Sequence, residues 1–273
     1  MTAKTPDYRE DNKMVVSNNY VRAVHPDSMN INAMKLFRLI VTQCRMHDTE
    51  FFEYECKLTD LAEVFHTDRF DLYRDVQKLC KNVMQTVLYI GDGNPKHSWE
   101  YRAIFSKCSY TAKTGKLYVK LSPEVTDLFL QLRRNFTRIP IYAILTMKSK
   151  YAIRLYELIN EKLMSNLPYA NHATEITVTL EEARAVTGTD KQKTYDKISN
   201  FKHRVFEPAL KEIEECANWK IITKPYKNGR QIVGFILQIW SRNGWEYIED
   251  CKAKGIIPEQ IAGQMTIFDF VQQ

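Results

Sequence analysis

The stretch Leu58-Thr-Asp-Leu-Ala-Glu-Val-Phe-His-Thr-Asp68 recurs without a gap, 122 residues further along the chain, as Leu180-Glu-Glu-Ala-Arg-Ala-Val-Thr-Gly-Thr-Asp190. The alignment continues downstream at four positions: Tyr73 with Tyr195, Val76 with Ile198, Leu79 with Phe201, and Val83 with Val205. The matched apolar residues keep helical spacing, which predicts a short helix, a turn at Thr-Asp and a longer second helix. The chain therefore contains two predicted helix-turn-helix units related by an internal repeat.

Strand patterns flank both units. They cover residues 51–57, 86–90, 99–110 and 116–121 in the first half, and residues 175–179, 220–224 and 231–240 in the second. The last two strands enclose Asn228-Gly229, a strong hairpin signal because both residues tolerate positive φ. A helix-turn-helix unit followed by a hairpin is a winged helix. We therefore predict an α+β protein with two tandem winged-helix domains.

These patterns also place the domain boundaries. We predict a flexible N-terminus at residues 1–12, a first winged-helix domain at 13–140, a second at 141–245, and an acidic C-terminal tail at 246–273. Further helices are predicted at residues 32–45, 122–134, 150–164 and 193–216, the last with a kink at Pro208. The join between the two domains is expected near residues 136–146.

Composition excludes several classes of protein. Of the 273 residues, 44% are hydrophobic and 26% are charged, a balance that supports a buried core and excludes general disorder. No apolar run approaches the roughly 18 residues that cross a bilayer, and residues 1–11 lack the apolar core of a secretory signal. The six cysteines form no Cys-x-x-Cys pair. We therefore predict a cytoplasmic protein with reduced thiols and without a metal or other cofactor.

The positive charge of the chain is concentrated in one segment. Residues 191–245 hold eleven basic and five acidic side chains, whereas the remainder of the chain holds 28 of each. No acidic residue occurs between residues 217 and 245. A segregated basic segment beside a neutral remainder indicates a polyanionic partner, and here we expect double-stranded DNA.

The helix predicted at residues 193–216 has an apolar stripe and an opposite polar face. That face carries Lys193, Asp196, Asn200, His203, Arg204, Glu207 and Lys211, with Lys197 on its flank. Lys, Arg and Asn side chains hydrogen bond to base edges in the major groove. The acid-free hairpin adds Lys224, Lys227 and Arg230 beside that groove. The alternative is a solvated helix with mixed charges, and the basic hairpin favours DNA binding over it.

The first helix-turn-helix unit lacks these basic side chains. At the positions of Lys193, Lys197 and Arg204 it has, in the same order, Asp71, Asp75 and Asn82. Carboxylates in a groove would be repelled by the phosphates. We therefore predict that the first domain does not read bases in the same way, and that it forms a protein interface or contacts the DNA backbone.

Four segments carry a family resemblance: Lys13-Met-Val-Val-Ser-Asn-Asn19, Leu121-Ser-Pro-Glu-Val125, Ser149-Lys-Tyr-Ala-Ile-Arg-Leu-Tyr-Glu-Leu158, and Tyr195 with Phe201-Lys-His-Arg-Val-Phe-Glu-Pro-Ala-Leu-Lys-Glu-Ile213. In this order they resemble the replication initiator proteins of iteron-type plasmids, over about residues 13–242. The resemblance implies binding of tandem origin repeats by the second domain and homodimerisation through the first. It also implies autorepression at an operator and contacts with host replication proteins, including an initiator and a helicase.

The resemblance also supplies candidate residues. The basic positions around the aromatic residue of the family's recognition helix fall on Lys193, Lys197, Lys202 and Arg204, and His203 stands where the family often has another basic residue. The predicted DNA-binding set is therefore Lys193, Lys197, Asn200, Lys202, His203 and Arg204 in the helix, and Lys224, Lys227 and Arg230 in the hairpin.

The tail contains a second, shorter resemblance. Residues 264–268, Gln-Met-Thr-Ile-Phe, are similar to the peptide by which bacterial replication proteins bind the polymerase sliding clamp. In this interpretation Gln264, Met265, Ile267 and Phe268 contact the clamp. In the alternative, the apolar residues of the tail pack onto their own domain.

Two other functions are consistent with parts of the sequence. A winged-helix transcriptional repressor without an initiator role would need only the same helix. A nicking initiator enzyme would need a catalytic Tyr and a His-hydrophobic-His metal cluster, but the six histidines never lie within two residues of one another. The Gly-x4-Gly-Lys-Ser/Thr pattern of a P-loop ATPase does not occur either. We therefore predict a DNA-binding protein and not an enzyme.

Overall fold

The computed structural model describes residues 3–7, 12–23, 29–45, 48–91, 96–165 and 174–241. The predicted tail at residues 246–273 lies outside the described residues, together with Gln264, Met265, Ile267 and Phe268. Within the described ranges, no helix is both long enough and apolar enough to cross a membrane.

Helices and strands alternate along the whole described chain. The first half comprises β1 (Lys13–Ser17), α1 (Asn18–Arg22), α2 (Ile31–Val41), β2 (Glu53–Lys57), α3 (Leu58–Val64), α4 (Arg69–Arg74), α5 (Val76–Met84), β3 (Val87–Ile90), β4 (Glu100–Ala103), β5 (Phe105–Thr111), β6 (Lys116–Leu121), α6 (Thr126–Phe129) and β7 (Phe136–Pro140). The second half comprises α7 (Ile141–Thr146), α8 (Lys150–Ser165), β8 (Thr174–Thr179), α9 (Leu180–Thr187), α10 (Ile198–Phe201), α11 (Glu207–Ala217), β9 (Trp219–Asn228) and β10 (Gln231–Ser241).

The two halves share one sheet topology. In the first half, β6 pairs antiparallel with β2 on one side and β5 on the other, which gives the order β2-β6-β5. In the second half, β10 pairs in the same way with β8 and β9, which gives the order β8-β10-β9. In each half the first strand leads directly into a helix-turn-helix unit, and the other two form the hairpin that follows it. The predicted pair of tandem winged-helix domains is therefore confirmed.

Two strand pairs of the described chain belong to the first half alone. β1 pairs with β7, so that Lys13 lies opposite Pro140. β3 pairs with β4, with Tyr89 opposite Tyr101. The β3–β4 hairpin is inserted between α5 and β5, at the point where the second half instead continues its helix to Ala217. The first domain therefore carries a hairpin that has no counterpart in the second.

Two predicted elements around residue 120 are wrong in extent. The helix predicted at residues 122–134 is a short 3-10 turn followed by α6, which ends at Phe129. Gln131 and Asn135 both have φ of 53°, a left-handed conformation that interrupts a right-handed helix. The strand predicted at residues 99–110 is divided at Ile104, whose backbone bonds to Thr86 and Ser122 instead of continuing one ladder.

Part of the N-terminus predicted to be flexible lies along β2. The Lys4 amide donates to the Glu53 carbonyl at 2.8 Å, and the Glu55 amide donates to the Lys4 carbonyl at 2.8 Å. The Asp7 amide donates to Oε1 of Gln43 at 2.8 Å. β2 is an edge strand of its sheet, and the backbone groups of an edge strand need partners. That demand explains why this segment is bound.

The helix predicted at residues 193–216 is divided into four parts. Lys193–Tyr195 forms a 3-10 turn, α10 begins at Ile198, and a π-helical turn at Lys202–Phe206 leads into α11. Pro208 lacks a backbone N–H, and its ring would collide with the carbonyl four residues earlier in a regular α-helix. In a π-helical turn, hydrogen bonds join residues five apart, and this wider turn accommodates both the missing N–H and the proline ring. The expected kink is therefore a local change of helical pitch just before the proline.

A buried ion cluster, formed by Arg38, Arg154 and Glu157, joins the two halves. Nε and Nη2 of Arg38 donate to the two carboxylate oxygens of Glu157 at 2.7 and 3.0 Å, and Nη1 of Arg154 donates to the same carboxylate. The hydroxyl of Tyr20 also donates to it, at 3.2 Å. Burial alone would raise the pKa of Glu157, but the two guanidinium groups hold that pKa below its ordinary value. The carboxylate is therefore ionised inside the core.

Candidate nucleic-acid interface

The helix-turn-helix unit of the second half begins with a capped helix. The Thr179 hydroxyl accepts from the Glu182 amide, and the Glu182 carboxylate accepts from the Thr179 amide at 2.9 Å, which is a capping box. Glu182 also pairs with Lys162 of α8 at 2.7 Å. At its other end, α9 stops at Gly188, whose φ of 67° suits glycine. α9 is thus fixed at both ends before the chain turns.

Arg184 of α9 holds the start of the next segment. We define residues 193–206 as the recognition segment. Nη2 of Arg184 donates to the carbonyls of Tyr195 and Asp196 at 2.6 and 3.0 Å. Its guanidinium also lies 5.6 Å from the centre of the Phe201 ring. The sequence interpretation did not identify Arg184. The available signal was the difference between the repeats, since an arginine stands here where the first unit has Ala62, which is buried.

Three predicted DNA-binding cations project from the recognition segment into solvent. Lys193, Lys197 and Arg204 are exposed, and none of them forms an ion pair with the described residues. Asn200 is half-buried, and its Nδ2 donates to the carbonyl of Thr194 at 3.0 Å. The three cations are thus open to solvent, whereas one donor of Asn200 holds the preceding turn.

The other two predicted residues of the segment contact a carboxylate. Nδ1 of His203 lies 2.7 Å from Oε2 of Glu207, and Nζ of Lys202 lies 3.3 Å from Oε1 of Glu207. All three side chains are at least partly exposed, with 66% of the His203 side chain accessible. Glu207 therefore places a negative group among the cations, and it contacts Lys202 and the imidazole of His203.

The inner face of the recognition segment is anchored to the hairpin behind it. Phe201, Val205 and Phe206 are buried. The Phe206 ring stacks on Phe235 of β10, with 4.3 Å between the ring centres. Burial of several large side chains on one face fixes the direction of the opposite face. The exposed cations are consequently presented by a rigid support.

The β9–β10 hairpin, which we call the wing, carries the remaining predicted residues. Lys224, Lys227 and Arg230 are exposed along β9 and at the turn. Gly229 has φ of 58° at that turn, which confirms the hairpin predicted at Asn-Gly. Near the base, a Cβ atom added at Gly234 would lie 2.6 Å from a backbone oxygen of β8, so the close pairing of β10 with β8 requires glycine there.

The corresponding surface of the first domain is differently charged. Asp71 is exposed and Asp75 is half-buried, and both pair with Arg74. Oδ1 of Asn82, at the repeat position of Arg204, accepts from the backbone amide of Asn30 at 2.7 Å. At the repeat positions of Lys193 and Lys197, the first domain therefore has carboxylates that are paired with Arg74.

The first domain taken alone is nevertheless positively charged. Residues 13–140 hold 19 basic and 14 acidic side chains. The neutrality of the chain outside residues 191–245 arises because acidic residues predominate at 141–190 and 246–273. A net positive first domain is compatible with contacts to phosphates, in addition to any protein interface.

The inserted β3–β4 hairpin carries three neighbouring aromatic rings, two of them exposed and one half-buried. We call Tyr89, Trp99 and Tyr101 the aromatic face. Their ring centres are 5.4 to 6.4 Å apart, and Trp99 and Tyr101 are 53% and 63% exposed. Sequence analysis missed this cluster, although Trp99 and Tyr101 stand two residues apart in a predicted strand. An exposed group of large aromatic rings indicates an interaction surface.

Comparisons with known proteins agree with this architecture. The family model described as "Initiator Replication protein, WH1" matches residues 13–160, and the model described as "Initiator Rep protein, WH2" matches residues 179–239. A search of curated protein sequences found no significant match.

A solved structure has the same fold. The crystal structure of Pi initiator protein in complex with iteron DNA aligns with a TM-score of 0.66 and 16% sequence identity, over 85% of this chain and 98% of that one. A structure of domains 2 and 3 of RctB aligns with a TM-score of 0.43 and 12% identity, over 88% of this chain and 95% of that one. The two family models together cover more than half of the chain, so the chain belongs to the Rep family of replication initiator proteins.

Proposed function

We propose that the second domain binds repeated double-stranded DNA at a replication origin, with the recognition segment in the major groove and the wing along the phosphates. The observation that carries this proposal is the exposure of Lys193, Lys197 and Arg204, without ion pairs to the described residues, on a segment held by Arg184. Lys and Arg donate to guanine O6 and N7. The Pi initiator protein, which shares the fold, was solved with iteron DNA, and this supports the proposal.

In this proposal the same contacts serve two outcomes. Binding to tandem origin repeats would recruit the host initiator and helicase, and binding to an operator would repress the protein's own gene. The tail residues Gln264, Met265, Ile267 and Phe268 would add a contact with the sliding clamp.

Deletion of the gene separates an initiator from a repressor, because loss of an initiator abolishes plasmid maintenance, whereas loss of a repressor raises expression alone. A metal-dependent nicking assay on supercoiled origin DNA tests the enzyme alternative.

The DNA-binding proposal is tested by fluorescence anisotropy on the tandem repeats that flank the coding region. We expect Lys197→Ala and Arg204→Ala each to weaken binding to the repeat by ~1–3 kcal/mol, because each removes a donor to a base edge. Lys148→Ala is the matched control, since Lys148 is an exposed lysine between α7 and α8, away from the recognition segment. Wild-type affinity in both test variants would mean that the recognition segment does not read DNA.

We also propose that the first domain forms a homodimer through the aromatic face. The support is the exposure of Trp99 and Tyr101 on a hairpin that the second domain lacks. Aromatic residues are enriched at protein interfaces and contribute strongly to their stability. The hairpin is also a two-stranded sheet among the described residues, so its edges are open to pairing with a second copy.

Sedimentation of the full chain tests the homodimer. We expect Trp99→Ser combined with Tyr101→Ser to raise the dimer dissociation constant by at least about tenfold. Phe70→Ser is the control, because Phe70 is 69% exposed on α4 and lies outside the aromatic face. The full chain is required, since the buried ion cluster joins α8 to the first half. An unchanged dissociation constant in the double variant, or equal weakening by Phe70→Ser, would contradict the proposal.

A further inference from the structure

The contact between His203 and Glu207 determines which hydrogen bond the imidazole can offer to DNA. An ionised carboxylate only accepts hydrogen bonds, so the 2.7 Å contact between Nδ1 of His203 and Oε2 of Glu207 requires hydrogen on Nδ1. In a neutral imidazole, hydrogen on Nδ1 leaves Nε2 as an acceptor. Nε2 has no partner among the described residues, and the side chain is 66% exposed. Nε2 of His203 is therefore a hydrogen-bond acceptor on the exposed side of the recognition segment.

The surroundings of Glu207 explain how an acidic group is tolerated on this surface. Its second oxygen pairs with Lys202 at 3.3 Å, so two cationic or polar side chains share one carboxylate. Without such partners, a carboxylate beside phosphates would weaken DNA binding. His203 stands four residues before Glu207, a spacing that brings side chains together on any helix, and Lys202 stands five residues before it, a spacing that suits the π-helical turn at Lys202–Phe206. The arrangement is thus built across two adjacent elements, the π-helical turn and the first residue of α11.

We propose that Glu207 is a positioning residue that makes His203 a hydrogen-bond acceptor in the major groove, where it selects a base with an exocyclic amino group. The acceptable bases are adenine, through N6, and cytosine, through N4, on the strand that His203 faces. A lysine or arginine at this position can only donate and would select guanine. This inference rests on the proposed function, because it requires the recognition segment to lie in the groove.

Selection from a randomised double-stranded DNA library tests the inference, with the full chain at about pH 8, above the usual titration range of imidazole. We expect the wild type to prefer adenine or cytosine over guanine or thymine, by about fivefold, at one position of its selected site. His203→Ala removes the preference at that position alone. Glu207→Gln reduces it at the same position, because an amide can also donate to Nδ1 and so leave hydrogen on Nε2.

Two controls separate positioning from a structural effect. Glu215→Gln removes the same charge from an exposed position later in α11 and should keep the wild-type profile. The double variant His203→Ala with Glu207→Gln should retain as much base discrimination as His203→Ala alone, because Glu207 acts through the imidazole. Equal melting temperatures of the variants show that each is folded.

The failures of the two proposals are distinguishable. A wild-type protein that selects no sequence overturns the proposed function and this inference with it. A selected site whose profile is unchanged in His203→Ala, or which has guanine or thymine at the His203-dependent position, overturns this inference alone. A Glu207→Gln profile identical to the wild type overturns the positioning role of Glu207.

Discussion

At the scale of single residues, the orientation of the recognition segment depends on Arg184. Its Nη2 contacts two consecutive carbonyls, those of Tyr195 and Asp196, and these lie in the turn that leads into α10. Without this donor, two carbonyls at the start of the segment would lose a charged partner. Lys193 and Lys197 stand on either side of these carbonyls, so their direction depends on a residue that is itself outside the predicted DNA-binding set.

We expect Arg184→Ala to lower the free energy of unfolding by about 1–2 kcal/mol, because it removes charge-assisted hydrogen bonds from a half-buried site. Specific DNA binding should weaken as well, since residues 193–197 lose their support. Urea denaturation and anisotropy measure the two effects. Arg184→Lys retains the charge but offers no fork of donors, so we expect it to be intermediate. Unchanged stability and unchanged binding in Arg184→Ala would contradict this role.

At the scale of elements, the wing and the recognition segment form one unit but are expected to contribute differently. Phe206 on the segment stacks on Phe235 in β10, which couples the two elements through the core. Lys227 and Arg230 lie at the far end of the hairpin, where side chains reach phosphates more readily than base edges. The segment is therefore expected to supply specificity, and the wing to supply affinity that does not depend on sequence.

We expect Lys227→Ala combined with Arg230→Ala to weaken binding to cognate and unrelated DNA by the same factor. The slope of log K against log salt should decrease in magnitude by about 2, because two phosphate contacts and their released counterions are lost. A salt titration on both DNA sequences provides the measurement. A loss confined to the cognate repeat would instead assign base contacts to the wing.

At the scale of the whole molecule, the buried ion cluster connects the winged-helix domains. Arg38 belongs to α2 and Glu157 to α8, which are 119 residues apart in sequence. Arg154 also donates to the carbonyls of Val21 and Ala23 in the first half and to that of Val186 in the second. Removal of the central carboxylate would leave two buried guanidinium groups without their counter-charge. The cluster, with Glu157 at its centre, therefore contributes to holding the two halves together.

We expect Glu157→Gln to lower the free energy of unfolding by about 3–5 kcal/mol, the usual cost of removing one partner of a buried ion pair. Because the pKa of Glu157 is lowered in the folded state, its stabilisation is complete above the unfolded pKa of about 4.3 and is lost as pH falls through the folded value. Urea denaturation between neutral and acidic pH measures both effects.

The matched control for that series is Glu181→Gln, an exposed acid in the first turn of α9, for which we expect a change within about 0.5 kcal/mol. The wild type should lose stability on acidification more steeply than Glu157→Gln, because the variant lacks the titrating group. Parallel acid profiles for the wild type and Glu157→Gln would show that the cluster does not contribute through the charge of this carboxylate.

The sequence by itself determined the features that depend on neighbours close along the chain. Helical spacing and the Thr-Asp turns predicted both helix-turn-helix units, and the pair Asn228 and Gly229 predicted the hairpin that forms the wing. The segregated positive charge indicated the DNA-binding half, and the order of short motifs indicated the family. These signals could be predicted because helices, turns and hairpins are specified by contacts within a few residues.

The tertiary structure alone decided the features built from distant or locally unusual contacts. Residues far apart in sequence meet in the buried ion cluster and in the β1–β7 pair, and no hydrophobic periodicity predicts either contact. The hydrogen bonds by which Arg184 holds the carbonyls of Tyr195 and Asp196, and the stacking of Phe206 on Phe235, likewise join elements that are separate in sequence. The aromatic face likewise needs the pairing of β3 with β4. Each arises from packing energies that act across the fold, whereas a local pattern reports only on a single helix or strand.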